Sequence, residues 1–243
     1  MTAIEPVVFH LPGSMLQNAG KLRPFYGKIG AGLAARGARV DYVQHDREVV
    51  PAQIAADDGF HIIDHGRIRH PRVLNAGLGY VRPYYYLDPC GIRAFSSVGA
   101  MPFDPAMIDP ERARAVQERL HALLITPRKS RYEQPSEVLP VSKGCIAVFL
   151  QTEVHRDVGE LCFLTMRRMV KALLARDDPR AIVVKPHPQD ADLDTLNWLL
   201  GKARKDKRLQ IMAANIHDML RACEVAVTIN SAVGIEALLH RKP

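Results

Sequence analysis

Lys185-Pro186-His187-Pro188 is the stretch of this chain in which residue type and spacing point most directly to chemistry. Two prolines fix the backbone on either side of the histidine and remove two amide donors, so the imidazole is presented from a stiff, extended segment. Held there with Lys185 beside it, the ring can give hydrogen bonds or positive charge to a phosphate, whose own charge would raise the imidazole pKa from about 6.5. The competing reading is a loop histidine satisfied by its neighbours. His70-Pro71, with no strand ahead of it, is read that way.

Three further stretches carry suitable groups. In Asn230-Ser231-Ala232-Val233-Gly234-Ile235-Glu236, Ser231 is expected at a helix N-cap, while the position three residues on is Gly234 and not the Glu or Gln of a capping box. That leaves amides, a hydroxyl and a glycine permitting close approach for an anion, with Glu236 placed to accept from ribose hydroxyls. The alternative is that Ser231 merely caps and Glu236 is a surface carboxylate. In Gln151-Thr152-Glu153 through Asp157, Asp157 pairs with Glu160 as a capping box, whereas Glu153 has no structural duty in the sequence and, with Gln151, can serve as base, nucleophile or sugar ligand. Tyr84-Tyr85-Tyr86 with Asp88 offers ring faces and a carboxylate to a sugar, or else forms an edge strand behind Pro83. Gly13-Ser14, with Asn18 and Gly20-Lys21, follows the first strand and is open to the same sugar-binding role or to turn formation.

Periodicity places these groups. Strands are predicted at residues 6–10, 39–44 and 60–64, with helices at 24–36, 51–57 and 110–124, and an irregular tract over 65–109. Residues 130–144 are polar, carry Pro135 and Pro140, and lack either period, as a linker does. Beyond them strands at 145–150, 181–185, 209–212 and 225–229 alternate with helices at 158–176, 192–204, 216–221 and 232–240. Four β-α units in series require a parallel sheet with helices on both faces, and ligands of such sheets bind beyond the carboxyl ends of the strands. The expectation is two α/β domains facing a cleft, 1–129 and 145–243, joined by 130–144. The chain stops at Lys242-Pro243, where this pattern normally introduces another strand, so the second domain is expected to be incomplete.

Composition narrows the class. With 243 residues, 47% hydrophobic and 24% charged, the chain is neither disordered nor collagen-like, and four Cys without C-x-x-C spacing argue against a disulfide scaffold or structural zinc. No signal-peptide pattern and no run of about 18 apolar residues is present, so a cytoplasmic protein is expected. A net charge of +7 favours anionic partners. Aromatic residues are not interleaved with the basic ones, which speaks against nucleic acid.

Lys185-Pro186-His187-Pro188, Asn230 to Leu238 ending in His240-Arg241-Lys242-Pro243, Leu150-Gln151 with Glu153, and Tyr84 to Pro89 with Gly91 and Arg93 together resemble the bacterial capsule polysaccharide biosynthesis and export family. Its members include transferases of the acidic sugar Kdo from the CMP-activated form. The resemblance implies two Rossmann-like domains of GT-B type, with 1–129 the acceptor side and 145–243 the nucleotide side. His187 then corresponds to the histidine on the CMP phosphate and Ser231 to the phosphate-binding serine. On this reading Glu153 and His187 are catalytic. Gln151, Lys185, Pro188, Asn230, Ser231, Gly234 and Glu236 bind the donor, and Gly13, Ser14, Tyr85, Asp88 and Arg93 the acceptor. The reaction needs no metal and no cofactor beyond the CMP-sugar donor itself. A glycan or glycolipid acceptor is implied, as is peripheral contact with the inner membrane and polysaccharide assembly proteins. A UDP- or other NDP-sugar donor, or a non-catalytic role in polysaccharide assembly or export, are the alternatives.

Overall fold

The computed structural model describes residues 6–81, 84–151, 162–188 and 192–243. The chain divides into two compact units, Met1–Phe103 and Asp104–Pro243.

In the first unit β1 (Val7–Leu11), β2 (Val40–Gln44), β3 (Phe60–Asp64) and β4 (Val73–Leu78) run parallel, and β5 (Tyr85–Asp88) closes the sheet antiparallel, in the order β2-β1-β3-β4-β5. Strand alternation sorts the side chains. Phe9, Leu11 and Ile62 pack with Phe25, Tyr26, Ile29 and Leu33 of α2 (Pro24–Ala34), while Ile63 and Val73 pack with Val50 and Ile54 of α3 (Val50–Ala56). A short helix, α1 (Gly13–Leu16), follows β1 directly.

The tract expected to be irregular over 65–109 contains β4 and β5. Their sequences hide the pattern: Val73-Leu74-Asn75-Ala76-Gly77-Leu78 is interrupted by an amide and a glycine. Both interruptions have packing reasons. Asn75 is fully buried and donates to the carbonyls of Ile68 and Asp88 while its oxygen accepts from the Ile68 amide. At Gly77 a Cβ would stand 3.1 Å from Ile92 Cδ1.

The second unit opens with α4 (Pro110–Leu120), started by Asp109, whose carboxylate accepts from the Glu111 and Arg112 amides, and continued by one wide turn over His121–Ile125. Its sheet has the order β8 (Leu209–Ile211), β7 (Ile182–Lys185), β6 (Ile146–Phe149), β9 (Val225–Val227), all parallel. Residues 145 to 150 divide by parity between two cores. Cys145, Ala147 and Phe149 pack with α7 (Ile216–Ala222) and α8 (Val233–Leu239) on one face. Ile146, Val148 and Leu150 pack with α5 (Met166–Leu174) and α6 (Leu193–Lys205) on the other. Both faces are therefore covered, which is why these strands read as unbroken apolar runs. The helix expected over 158–176 begins at Met166, capped by the Thr165 hydroxyl, and residues 162–165 are not helical.

The units part at Phe103/Asp104, ahead of the linker expected at 130–144. The physical reason is a set of bonds that ties residues 128–137 to the start of α7. Arg128 forks onto Asp218 and also donates to the carbonyls of Ser136 and Glu137. Asn215 donates to the carbonyls of Arg128 and Pro135, and His217 Nε2 donates to Lys129 O over 2.8 Å. Among the described residues no helix is long and apolar enough to cross a membrane.

Candidate functional site

In the second unit the carboxyl ends of β7, β6 and β9 lie side by side on one edge, so Pro186-His187, Gln151 and Asn230-Ser231 leave the sheet in the same direction. β7 and β9 flank β6, which sets the His187 and Ser231 segments roughly 10 Å apart at about 4.8 Å per strand. Gln151 stands between them. Its side-chain amide donates to Asn230 Oδ1, and its oxygen accepts from the Asn230 amide at 3.2 Å, so the ends of β6 and β9 are locked together. The His187 ring meets Tyr132 edge to face, with centroids 5.0 Å apart. Sequence reasoning missed Tyr132, because it sits in the segment read as a linker. Pro188 is exposed. Glu153 lies outside the described residues.

Three expectations about this edge change. Lys185 is not offered to a ligand: it is 6% exposed and its ammonium donates to Ala214 O at 2.7 Å, bracing the turn between β8 and α7. Parity explains this, since Lys185 shares a face with Val183, which lies in the core formed with α7. Burial pushes its pKa down. Ser231 is not the N-cap either. Ala232 holds that position without a side-chain cap. The first amides are already engaged: Val233 N donates to Ser231 Oγ at 3.4 Å, Gly234 N to Ser231 O and Ile235 N to Ala232 O. Ser231 N in turn donates to Thr228 Oγ1, which itself donates to Phe149 O. What the loop offers is thus the Ser231 hydroxyl proton. Glu236 is not a surface carboxylate but is buried at 1% exposure on the inner side of α8. Gly234 has ordinary helical backbone, and a Cβ there would make only a normal contact, 3.7 Å, with Thr228 Cγ2.

In the first unit the carboxyl edge carries a different chemistry. Gly13 and the exposed Ser14 follow β1, and Gln44 lies against Gly13. Because β5 runs antiparallel, its first residue, Tyr85, lies opposite Leu78 at this edge, stacked on Phe25 with centroids 4.2 Å apart. Asp88, three residues on, is away from the edge and turned inward: it is 6% exposed and accepts from the amides of Cys90, Gly91 and Ser97 and from the Ser97 hydroxyl at 2.6 Å. Burial works to raise its pKa, and these bonds outweigh it, so the net direction is down. Arg93 follows with a left-handed backbone, φ 56°, on the loop that Asp88 organises. Of the five expected acceptor residues, the edge therefore gathers Gly13, Ser14 and Tyr85 and leaves Asp88 and Arg93 elsewhere.

The residues missed here follow β3. Asp64 is 1% exposed and accepts from Tyr26 Oη, from Arg23 at 2.9 Å and from His65 Nδ1 at 2.7 Å. Burial alone would raise the Asp64 pKa, but these donors and the Arg23 charge bring it below the usual carboxylate range. Tyr26 is pushed strongly up by burial and by the Asp64 charge. The signal was available: Asp64 ends a predicted strand and His65-Gly66 directly follows it.

Residues 137–243 match the family described as capsule polysaccharide biosynthesis protein, the stretch that holds the β6, β7 and β9 ends. The likeness to that family is carried by this part of the chain. Among solved structures, the chain is similar to the β-Kdo 2,7 transferase KpsC of Thermosulfurimonas dismutans, at 18% identity and a TM-score of 0.56, over 99% of this chain and 77% of that one. At that identity the likeness is one of fold. No protein of curated function matches the chain in sequence.

Proposed function

We propose that the chain is a glycosyltransferase of capsule polysaccharide synthesis that takes an acidic, Kdo-like sugar from a CMP-activated donor, with the nucleotide on the carboxyl edge of the second unit's sheet. One observation carries this reading: in the family-matched stretch, the proline-flanked His187, Gln151 and Asn230-Ser231 leave adjacent strand ends on one edge. The KpsC-like fold supports it. His187 and the Ser231 hydroxyl meet the donor phosphate, where negative charge grows as the sugar leaves. Ser231 Oγ accepts from the Val233 amide, so its own proton is available to a phosphate oxygen. Asn230 and Gln151 contact the nucleoside, and Glu153 serves the reacting centre. The acceptor glycan or glycolipid lies with Gly13, Ser14 and Tyr85, and the enzyme works at the cytoplasmic face of the membrane.

Calorimetric titration with CMP and with UDP tests the donor: tighter binding of CMP is expected, and preference for UDP would move the assignment to another nucleotide sugar. His187→Ala is expected to lower transfer by about a hundredfold, as loss of one charge-stabilising donor commonly does. Undiminished transfer would remove His187 from the mechanism.

A further inference from the structure

The two prolines that flank His187 hold its main chain, but they leave χ1 and χ2 of the imidazole free to change wells. A second set of contacts, all within the second unit, reaches the ring itself. Lys185, two residues earlier, donates to Ala214 O at 2.7 Å and so ties the end of β7 to the approach to α7. The next residues of that approach reach the segment ahead of β6. Asn215 Nδ2 donates to Pro135 O at 3.1 Å, and the Ile216 amide donates to Gln134 Oε1 at 3.2 Å. Gln134 Nε2 donates in turn to Tyr132 O at 3.2 Å. The Tyr132 ring then closes the circuit on His187, with centroids 5.0 Å apart and planes 81° from parallel. That is the edge-to-face arrangement which aromatic pairs favour. His187 and Tyr132 are both partly exposed, so the contact does not bury the histidine.

We infer that Tyr132 is the positioning residue of His187: it selects the imidazole orientation that meets the donor phosphate, and Gln134 holds Tyr132 in place from the start of α7. This deepens the donor reading of the second unit's edge and rests on it. A ring already confined loses less rotational freedom when the phosphate arrives, so the phosphate is held more tightly. The effect therefore belongs to the phosphate part of the ligand, and it disappears when His187 is absent.

Calorimetry with CMP and with cytidine, which lacks the phosphate, separates the two parts of the ligand. Tyr132→Leu, which keeps bulk and loses the ring, is expected to weaken CMP by about threefold to tenfold and to leave cytidine within about twofold. Tyr132→Phe, which keeps the ring, is expected to match the wild type with both ligands. In a His187→Ala background, Tyr132→Leu is expected to change CMP affinity by less than about twofold. An equal loss of CMP in that background, an equal loss of cytidine, or no loss of CMP in Tyr132→Leu would each overturn the assignment. A second readout needs no ligand. The His187 Cε1–H resonance, assigned by its disappearance in His187→Ala, should shift in Tyr132→Leu and stay in place in Tyr132→Phe, because the ring current of residue 132 acts on it. A resonance indifferent to Tyr132→Leu would overturn the proposal. If CMP binds the wild-type chain no more tightly than cytidine, or His187→Ala leaves CMP affinity unchanged, the donor reading fails instead, and the resonance still decides whether Tyr132 seats the ring.

Discussion

Gly234 separates two demands that a sequence alone cannot. Its backbone is helical and a methyl group there would meet nothing closer than Thr228 Cγ2 at 3.7 Å, so neither conformation nor packing within the chain calls for glycine. A glycine inside a helix costs about 0.5–1 kcal/mol relative to alanine. Gly234→Ala should therefore raise the denaturation midpoint while weakening CMP binding, if close approach by the donor is what the position serves. Calorimetry and urea unfolding on the same variant read the two signs, and an unchanged CMP affinity would detach Gly234 from the donor. Lys185 shows the opposite case. The sequence puts a cation beside His187, and the strand's alternation then carries it into the core, where Ala214 O receives it. The parity was readable once the strand was placed, but the buried carbonyl waiting 29 residues later was not.

At the level of elements, the regular β-α units of the second half were legible because each strand is apolar on both faces and most helices begin at a residue that can cap. Asp192, Asn215 and Thr165 all accept from amides in the first turn they cap. Thr165→Ala should lower stability by about 1 kcal/mol, measured as a shift in urea midpoint at constant slope. A change in slope would mean that more than the cap was lost. What the sequence concealed were elements whose buried faces are not apolar. β4 spends a strand position on Asn75, and β5 is an edge strand of tyrosines, so neither displays the expected period. The edge-strand reading of Tyr85-Tyr86 was one of the two open alternatives, and β5 has that form. In the candidate sites, His187, Gln151, Asn230 and Ser231 were visible as residues directly following strands. Tyr132 and Arg23 were not, since each reaches its partner from a segment with no signal of its own.

On the scale of the molecule, each unit contains a close pair of imidazoles, buried on both sides in the first and on the His217 side in the second. His10 Nε2 lies 2.9 Å from His61 Nδ1 in the first, and His217 Nδ1 lies 3.0 Å from His240 Nε2 in the second. Burial, with the neighbouring imidazole adding to it, lowers the His10 and His240 pKa values from 6.5 to about 4. The folded state therefore holds these rings neutral, while an unfolded chain takes up protons at about pH 6.5. Stability is fully present above that pH and is lost as pH falls from 6.5 towards 4. The loss is about 3 kcal/mol for His10 and less for the partly exposed His240. Urea unfolding at pH 7.5, 5.5 and 4.5 should show that decline, and His240→Phe should flatten it; a profile level across this range would refute the assignment. The Arg128-Asp218 fork bears on where this chain can be cut. A polypeptide starting at residue 145 keeps the sheet and the His187 edge but strips the Arg128 fork from Asp218, a carboxylate that is 7% exposed and keeps the longer 3.9 Å contact with Arg221, and leaves His217 Nε2 without the Lys129 carbonyl. Leaving a buried charge wholly unpaired costs about 3–5 kcal/mol; Arg221 softens that here, but the lost fork and the lost Lys129 carbonyl together remove a sizeable share of what holds such a domain folded. Residues 104–243 should melt cooperatively by calorimetry, whereas residues 145–243 should not, so the stretch that reads as a dispensable tether is the second unit's own clasp.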